Sequence, residues 1–112
     1  MSVQMEKLLG KYTEGIRGIY GNDLKSVILY GSYARGDFNK DSDVDIMILI
    51  NVPSERVDDK SKDVSYYTYD FNLDHDTDIM EMIVSTSQFN YWREAHPFYR
   101  NVATEGRELY VS

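Results

Sequence analysis

Apolar positions along the chain recur with two periods. Leu8, Leu9, Tyr12, Ile16, Ile19 and Tyr20 fall three and four residues apart, which gathers them on one face and predicts a helix over the first twenty residues. Gly10, Gly15 and Gly18 weaken that helix by roughly 1 kcal/mol each against alanine, and Gly21-Asn22-Asp23 stops it. Ser26 to Tyr30 is a short apolar run closed by Gly31, too short for a helix and suited to a buried strand. Ser32 to Gly36 fits one helical turn. Ser42 to Ile50 carries the strongest strand pattern. Its second half, Ile46 to Ile50, is apolar without alternation, which predicts a strand covered on both faces at the centre of a sheet.

Beyond Pro53 the pattern returns to helical spacing. Val64, Tyr67 and Phe71 predict a partly helical segment from Val57 to Leu73, and Asp78 to Ser85 reads as another strand. Ser87 is the expected cap of a short helix through Tyr91, Trp92 and Ala95, with Trp92 packed under the following helix. His96-Pro97 breaks the chain, and Pro97 starts a last helix that reaches about Glu105 and ends at Gly106. The order helix, strand, strand, helix, strand, helix, helix predicts an α/β fold. It would be a small mixed β-sheet flanked by helices, in one domain over residues 1–112.

Composition narrows the function. A net charge of −7 is the wrong sign for a passive binder of nucleic-acid backbone. Without cysteine there is no disulfide scaffold, thiolate metal site or cysteine nucleophile. The longest apolar run, Ile46 to Ile50, falls far short of a membrane span, and the first residues, with Glu6 and Lys7, lack a signal-peptide core. A cytoplasmic protein with no membrane partner is the expectation. Acids outnumber bases between Glu55 and Asp78, as on a solvated helix face. His75 and His96 have no partner at ligand spacing, and the cluster Tyr66, Tyr67, Tyr69 suits packing more than a partner surface. Pairing with a second copy of the chain stays open.

The chemistry concentrates between Gly31 and Asp45. Gly31 and Gly36 have P-loop spacing, but the next two positions are Asp37 and Phe38 where Lys and Ser or Thr are needed. Asp37, Asn39, Asp41, Asp43 and Asp45 imitate a calcium loop, yet Ser42 and Ile48 stand where that loop needs Gly and a bidentate Glu. The strand itself offers more. Asp43 and Asp45, two apart, project to the same face. Like charges about 4 Å apart repel by about 4 kcal/mol at an effective dielectric near 20. Protonation, a nearby arginine or a bound cation would offset this, and oxygen ligands on a fixed scaffold suit Mg²⁺ shared with substrate phosphates. A third carboxylate on a neighbouring strand would complete a two-metal site. Asp78 is the first candidate, and Glu81, on the opposite face, the second. The Gly31-Ser32 turn would let backbone amides approach a terminal phosphate, with Arg35 adding a positive charge.

The stretch G-S-Y-A-R-G-D-F-N-K-D-S-D-V-D, with ten residues between Gly31-Ser32 and Asp43-x-Asp45, resembles the signature of the DNA polymerase β-like nucleotidyltransferase superfamily. It is most similar to the minimal nucleotidyltransferases, compact prokaryotic members that include antitoxins paired with HEPN-type ribonuclease toxins. Asp78 sits where that family places its third carboxylate, and P-F-Y-R-N-V-A-T-E-G-R-E-L-Y resembles its tail. The resemblance implies a polymerase β-like fold and a nucleotidyltransferase. Two Mg²⁺ ions would be held by Asp43, Asp45 and Asp78, and a nucleoside triphosphate, ATP first, by Gly31, Ser32 and Arg35. It further implies transfer of AMP to an acceptor hydroxyl such as a tyrosine of a HEPN-type toxin. The extra substrate domain of larger relatives is missing, so the acceptor would meet a small surface or come with a partner. The competing expectation is an antitoxin that neutralises its partner by contact alone.

Overall fold

The computed structural model describes all residues from Met1 to Ser112. Helix α1 runs Val3–Tyr20, with the Ser2 side chain capping it by accepting from the Met5 N–H. Strand β1 (Leu24–Tyr30) leads into a single helical turn, α2 (Ser32–Arg35), and β2 spans Val44–Ile50. A 3-10 segment, Ser54–Lys60, precedes α3 (Ser61–His75); β3 (Ile79–Ser85), α4 (Thr86–Trp92), α5 (Pro97–Glu105) and β4 (Arg107–Val111) follow. No helix is long and apolar enough to cross a membrane.

The four strands form one mixed sheet in the order β3-β2-β1-β4. β1 pairs antiparallel with β2 and with β4, and β2 pairs parallel with β3 across the α3 crossover. β2 is central, as its unbroken apolar run requires. Ile46, Ile48 and Ile50 face a core built with α1 and α3, while Met47 and Leu49 face a second core with Phe89, Tyr99 and Val102. Each such side chain contributes about 1.5–3 kcal/mol by burial, so β2 is the element least free to move.

Local bonds fix the connections. Tyr12 and Thr68 share a buried 2.7 Å hydrogen bond between α1 and α3, and Tyr67 stacks on Tyr12 and donates to the Tyr12 carbonyl at 2.9 Å. The Tyr67 ring lies where a side chain at position 15 would go, which explains a glycine inside α1. At the end of α3, Asn72 donates to the Ile79 carbonyl and accepts from the Ile79 N–H and the Thr77 hydroxyl, pinning the entry into β3.

Several details differ from the sequence expectation. Ser85, rather than Ser87, caps α4, accepting from the Gln88 N–H. Trp92 is partly exposed, edge-on to His96, because α4 ends before it can reach under α5. β4 was not foreseen. Arg107-Glu108-Leu109-Tyr110-Val111 shows no alternation of polar and apolar residues, as befits an edge strand exposed on most of its length.

Gly106 joins α5 to β4. Its N–H donates to the Val102 carbonyl at 2.9 Å, and a Cβ there would meet that carbonyl and Ile28 Cγ2. Substitution Gly106→Ala is expected to cost about 1–3 kcal/mol through overpacking, read as a lowered urea midpoint with an unchanged slope.

Candidate active site

β1 ends where its last residue, Tyr30, stands opposite Asp45 of β2. The chain then turns through Gly31 at φ +74°, a region that L side chains avoid. The Gly31 carbonyl accepts from the Ala34 and Arg35 N–H groups, and the Ser32 carbonyl from those of Gly36 and Asp37. These bonds close α2 as one compact turn and leave the Ser32 and Tyr33 amides without an intrahelical acceptor. Gly36, at φ +85°, ends the turn.

Asp45 is seated against this glycine. A Cβ at position 31 would meet Asp45 Oδ2 and lie 3.3 Å from its Cγ. The carboxylate thus occupies the space that the missing side chain leaves. Burial raises the Asp45 pKa above the usual carboxylate range, the Asp43 charge raises it further, and Arg35 pulls in the opposite direction. Asp45 and Tyr30 share a face, so burial and the Asp45 charge also push the Tyr30 hydroxyl pKa up.

The segment before β2 holds itself. Tyr33 and Phe38 stack at 4.3 Å. The Asn39 N–H donates to the Ser42 hydroxyl at 2.9 Å, and Asn39 Oδ1 accepts from the Asp41 N–H at 2.8 Å. Asn39 therefore spends its side-chain oxygen on the turn, as expected of a loop that is not a calcium site. Asp43 emerges from this turn exposed, one residue before β2.

A cleft of about 370 Å³ opens here. Gly31, Ser32, Arg35 and Asp45 form one side, with Tyr30 at its base, and Phe98, Asn101, Val102 and Glu105 of α5 form the other. The structure thus brings Gly31, Ser32, Arg35 and Asp45 together, with Asp43 close enough to act on Asp45. Asp78 is placed differently. Its carbonyl accepts from the Val44 N–H at 2.9 Å, and the β2–β3 register carried one residue back sets it beside Asp43. Its exposed side chain lines a separate recess with Tyr33, Lys40, Ser42 and Thr77. Glu81, opposite Ile46, lies on the face covered by α1 and α3, where its charge adds to the raised pKa of the buried Tyr12. It does not join Asp43 and Asp45.

Donor chemistry permits a hard cation at Asp43 and Asp45. These are paired oxygen ligands, one of them partly desolvated and destabilised when ionised. No three histidine, aspartate or glutamate side chains converge into a metal-binding group here. The α5 wall went unrecognised in the sequence. Phe98, Asn101, Val102 and Glu105 repeat at three- and four-residue spacing, and that mixed apolar and polar face was the available signal.

Residues 11–110 match the family model described as Nucleotidyltransferase domain. A Methanocaldococcus jannaschii protein named "Putative protein adenylyltransferase" is 33% identical over 105 residues, covering 94% of this chain and 97% of its own length. A second protein of that organism with the same description is 38% identical over 55 residues, 48% of this chain and 37% of its own. Among solved structures, one described as a putative nucleotidyltransferase from Sulfolobus solfataricus superposes with a TM-score of 0.67 at 19% identity, covering 97% of this chain and 82% of that one. A chain of a toxin–antitoxin crystallised with AMP-PNP superposes with a TM-score of 0.56 at 18% identity, covering 92% and 73%.

Two outcomes follow from the Gly31–Asp45 contact. Gly31→Ala is expected to lower stability by about 2 kcal/mol or more, from the backbone region and the clash together. By contrast, Gly10→Ala, in open space on α1, should raise it by up to about 1 kcal/mol; thermal unfolding of both variants checks the contrast. The second concerns pH. Because the folded-state pKa of Asp45 is raised, ionising Asp45 opposes folding, and its contribution is lost as pH rises through the carboxylate range. In metal-free buffer, Asp45→Asn should therefore melt with the unsubstituted protein below about pH 4 and above it at neutral pH. A melting curve series across that range is the check.

Proposed function

The chain belongs to the Nucleotidyltransferase domain family and is a nucleotidyltransferase, and we propose that it transfers the AMP part of ATP to a hydroxyl of a partner protein. The observation that carries this reading is the seating of Asp45 on Gly31, which gathers a carboxylate, a tight anion-accepting turn and the Arg35 cation around one cleft. The description of the M. jannaschii relatives supports the protein acceptor, and the toxin–antitoxin neighbour supports a toxin as that partner. A tyrosine on a HEPN-type toxin is the acceptor we assign. The cleft needs such a partner, since its open sides offer little surface to hold an acceptor by themselves.

In this reading Gly31 and Ser32 bind the triphosphate through backbone amides and the Ser32 hydroxyl, and Arg35 meets a phosphate oxygen with its guanidinium. Asp43 and Asp45 are the residues that would hold Mg²⁺, with Asp78, beside Asp43 in the β2–β3 register, as the third carboxylate. When bound, the ion supplies positive charge against the triphosphate and the developing charge on the leaving group. The acceptor oxygen forms a bond to the α-phosphorus, the bond from that phosphorus to the α,β-bridging oxygen breaks, and pyrophosphate leaves. The acceptor's proton passes to solvent or a neighbouring carboxylate. The position of Asp78 in its own recess favours a second reading, a binding module that silences its partner by contact.

Incubation with α-labelled ATP, Mg²⁺ and the protein encoded beside this one separates the two. Label on a tyrosine of the partner, reduced about 100-fold or more by Asp43→Asn or Asp45→Asn, is the expected result. Neutralisation of the partner without label, unaffected by either substitution, overturns it in favour of contact alone.

A further inference from the structure

Arg35 closes α2, and Glu105 closes α5. The fold brings them together at the mouth of the cleft. Arg35 Nε lies 3.2 Å from Asp37 Oδ2, and Arg35 Nη1 lies 3.7 Å from Glu105 Oε2. The Arg35 and Glu105 side chains are 46% and 43% exposed. An ion pair so open to water adds little to stability, so its effect is better sought in direction than in energy.

A guanidinium is a flat fork with five N–H donors. Asp37 pairs with Nε and Glu105 with Nη1, so neither carboxylate pairs with Nη2, and Arg35 lines the cleft shared with Gly31, Ser32 and Asp45. Asp37 is only two residues along the same loop, so its contact turns with the loop and sets no direction relative to the sheet. Glu105 does. Its neighbour Gly106 is packed against Ile28 of β1, and Arg107 opens β4 opposite Leu29. The Glu105 carboxylate is therefore referenced to β1, the strand that delivers Gly31.

We propose that Glu105 is a positioning residue that holds the Arg35 guanidinium across the cleft with its remaining N–H donors toward the phosphates of a nucleoside triphosphate. This rests on the reading of the cleft as the nucleotide site. Fixing a long side chain before the ligand arrives removes part of the ordering cost of binding, so the effect falls on nucleotide affinity and not on the fold.

The test is a double-substitution cycle read by titration calorimetry with ATP and Mg²⁺, using the full chain. Glu105→Gln is expected to raise the Kd for ATP about 3- to 10-fold, and Glu105→Ala at least as much, with both variants melting within a degree or two of the unsubstituted protein. In an Arg35→Ala background, Glu105→Gln should change the Kd no further. Unsubstituted protein that binds no ATP at millimolar concentration defeats the nucleotide-site reading itself, and this proposal with it. Binding that is normal in the unsubstituted protein and unchanged or tighter in Glu105→Gln and Glu105→Ala overturns the positioning role alone. So does a Glu105→Gln effect that persists without Arg35.

Discussion

The contact between the Asp45 carboxylate and the bare Cα of Gly31 sets the terms for everything around the cleft. It needs a residue without a side chain at a turn of positive φ, and a strand register that places position 45 opposite position 30. Slipping β2 by one residue would turn Asp45 into the core and Ile46 into the cleft. What prevents the slip is burial on both faces of β2, where Ile46, Met47, Ile48 and Ile50 are almost wholly enclosed. The chemistry at the mouth of the sheet thus depends on hydrophobic packing several residues away.

The same arrangement reconciles an acidic protein with a polyanionic substrate. The charge of −7 is a property of the whole surface, whereas affinity is set by the few groups that line the cleft. In the proposed reading, the backbone amides of a tight turn and one guanidinium would face the ligand there, and the carboxylates would offer oxygen ligands to a cation. Asp45 is strained in its ionised form by burial and by Asp43. A cation bound there would relieve a tension that the fold itself creates.

Much of this was legible in the sequence, for reasons of range. The unbroken apolar run from Ile46 to Ile50 marked the central strand, and the tight spacing of Gly31, Ser32, Asp43 and Asp45 marked the candidate site, because these signals lie within twenty residues of one another. Pairings between distant segments were not legible. β4 carries no alternation of its own and becomes a strand only because β1 offers an open edge. The α5 wall escaped notice because Asn101 and Glu105 resemble any polar helix surface until the cleft is opposite them. Asp78 sits next to Asp43 in register, yet where its carboxylate points depends on the Asn72 clasp and the turn before β3, which no spacing rule encodes.

The antiparallel pairing of β1 with β4 joins Leu29 to Arg107, segments about eighty residues apart. Closing so long a loop is entropically costly and kinetically late. On the ribosome, the Gly31 turn, Asp43 and Asp45 are synthesised early, while the wall that faces them waits for α5 and β4 to emerge. A nascent chain therefore carries only half of this cleft until that late segment has docked.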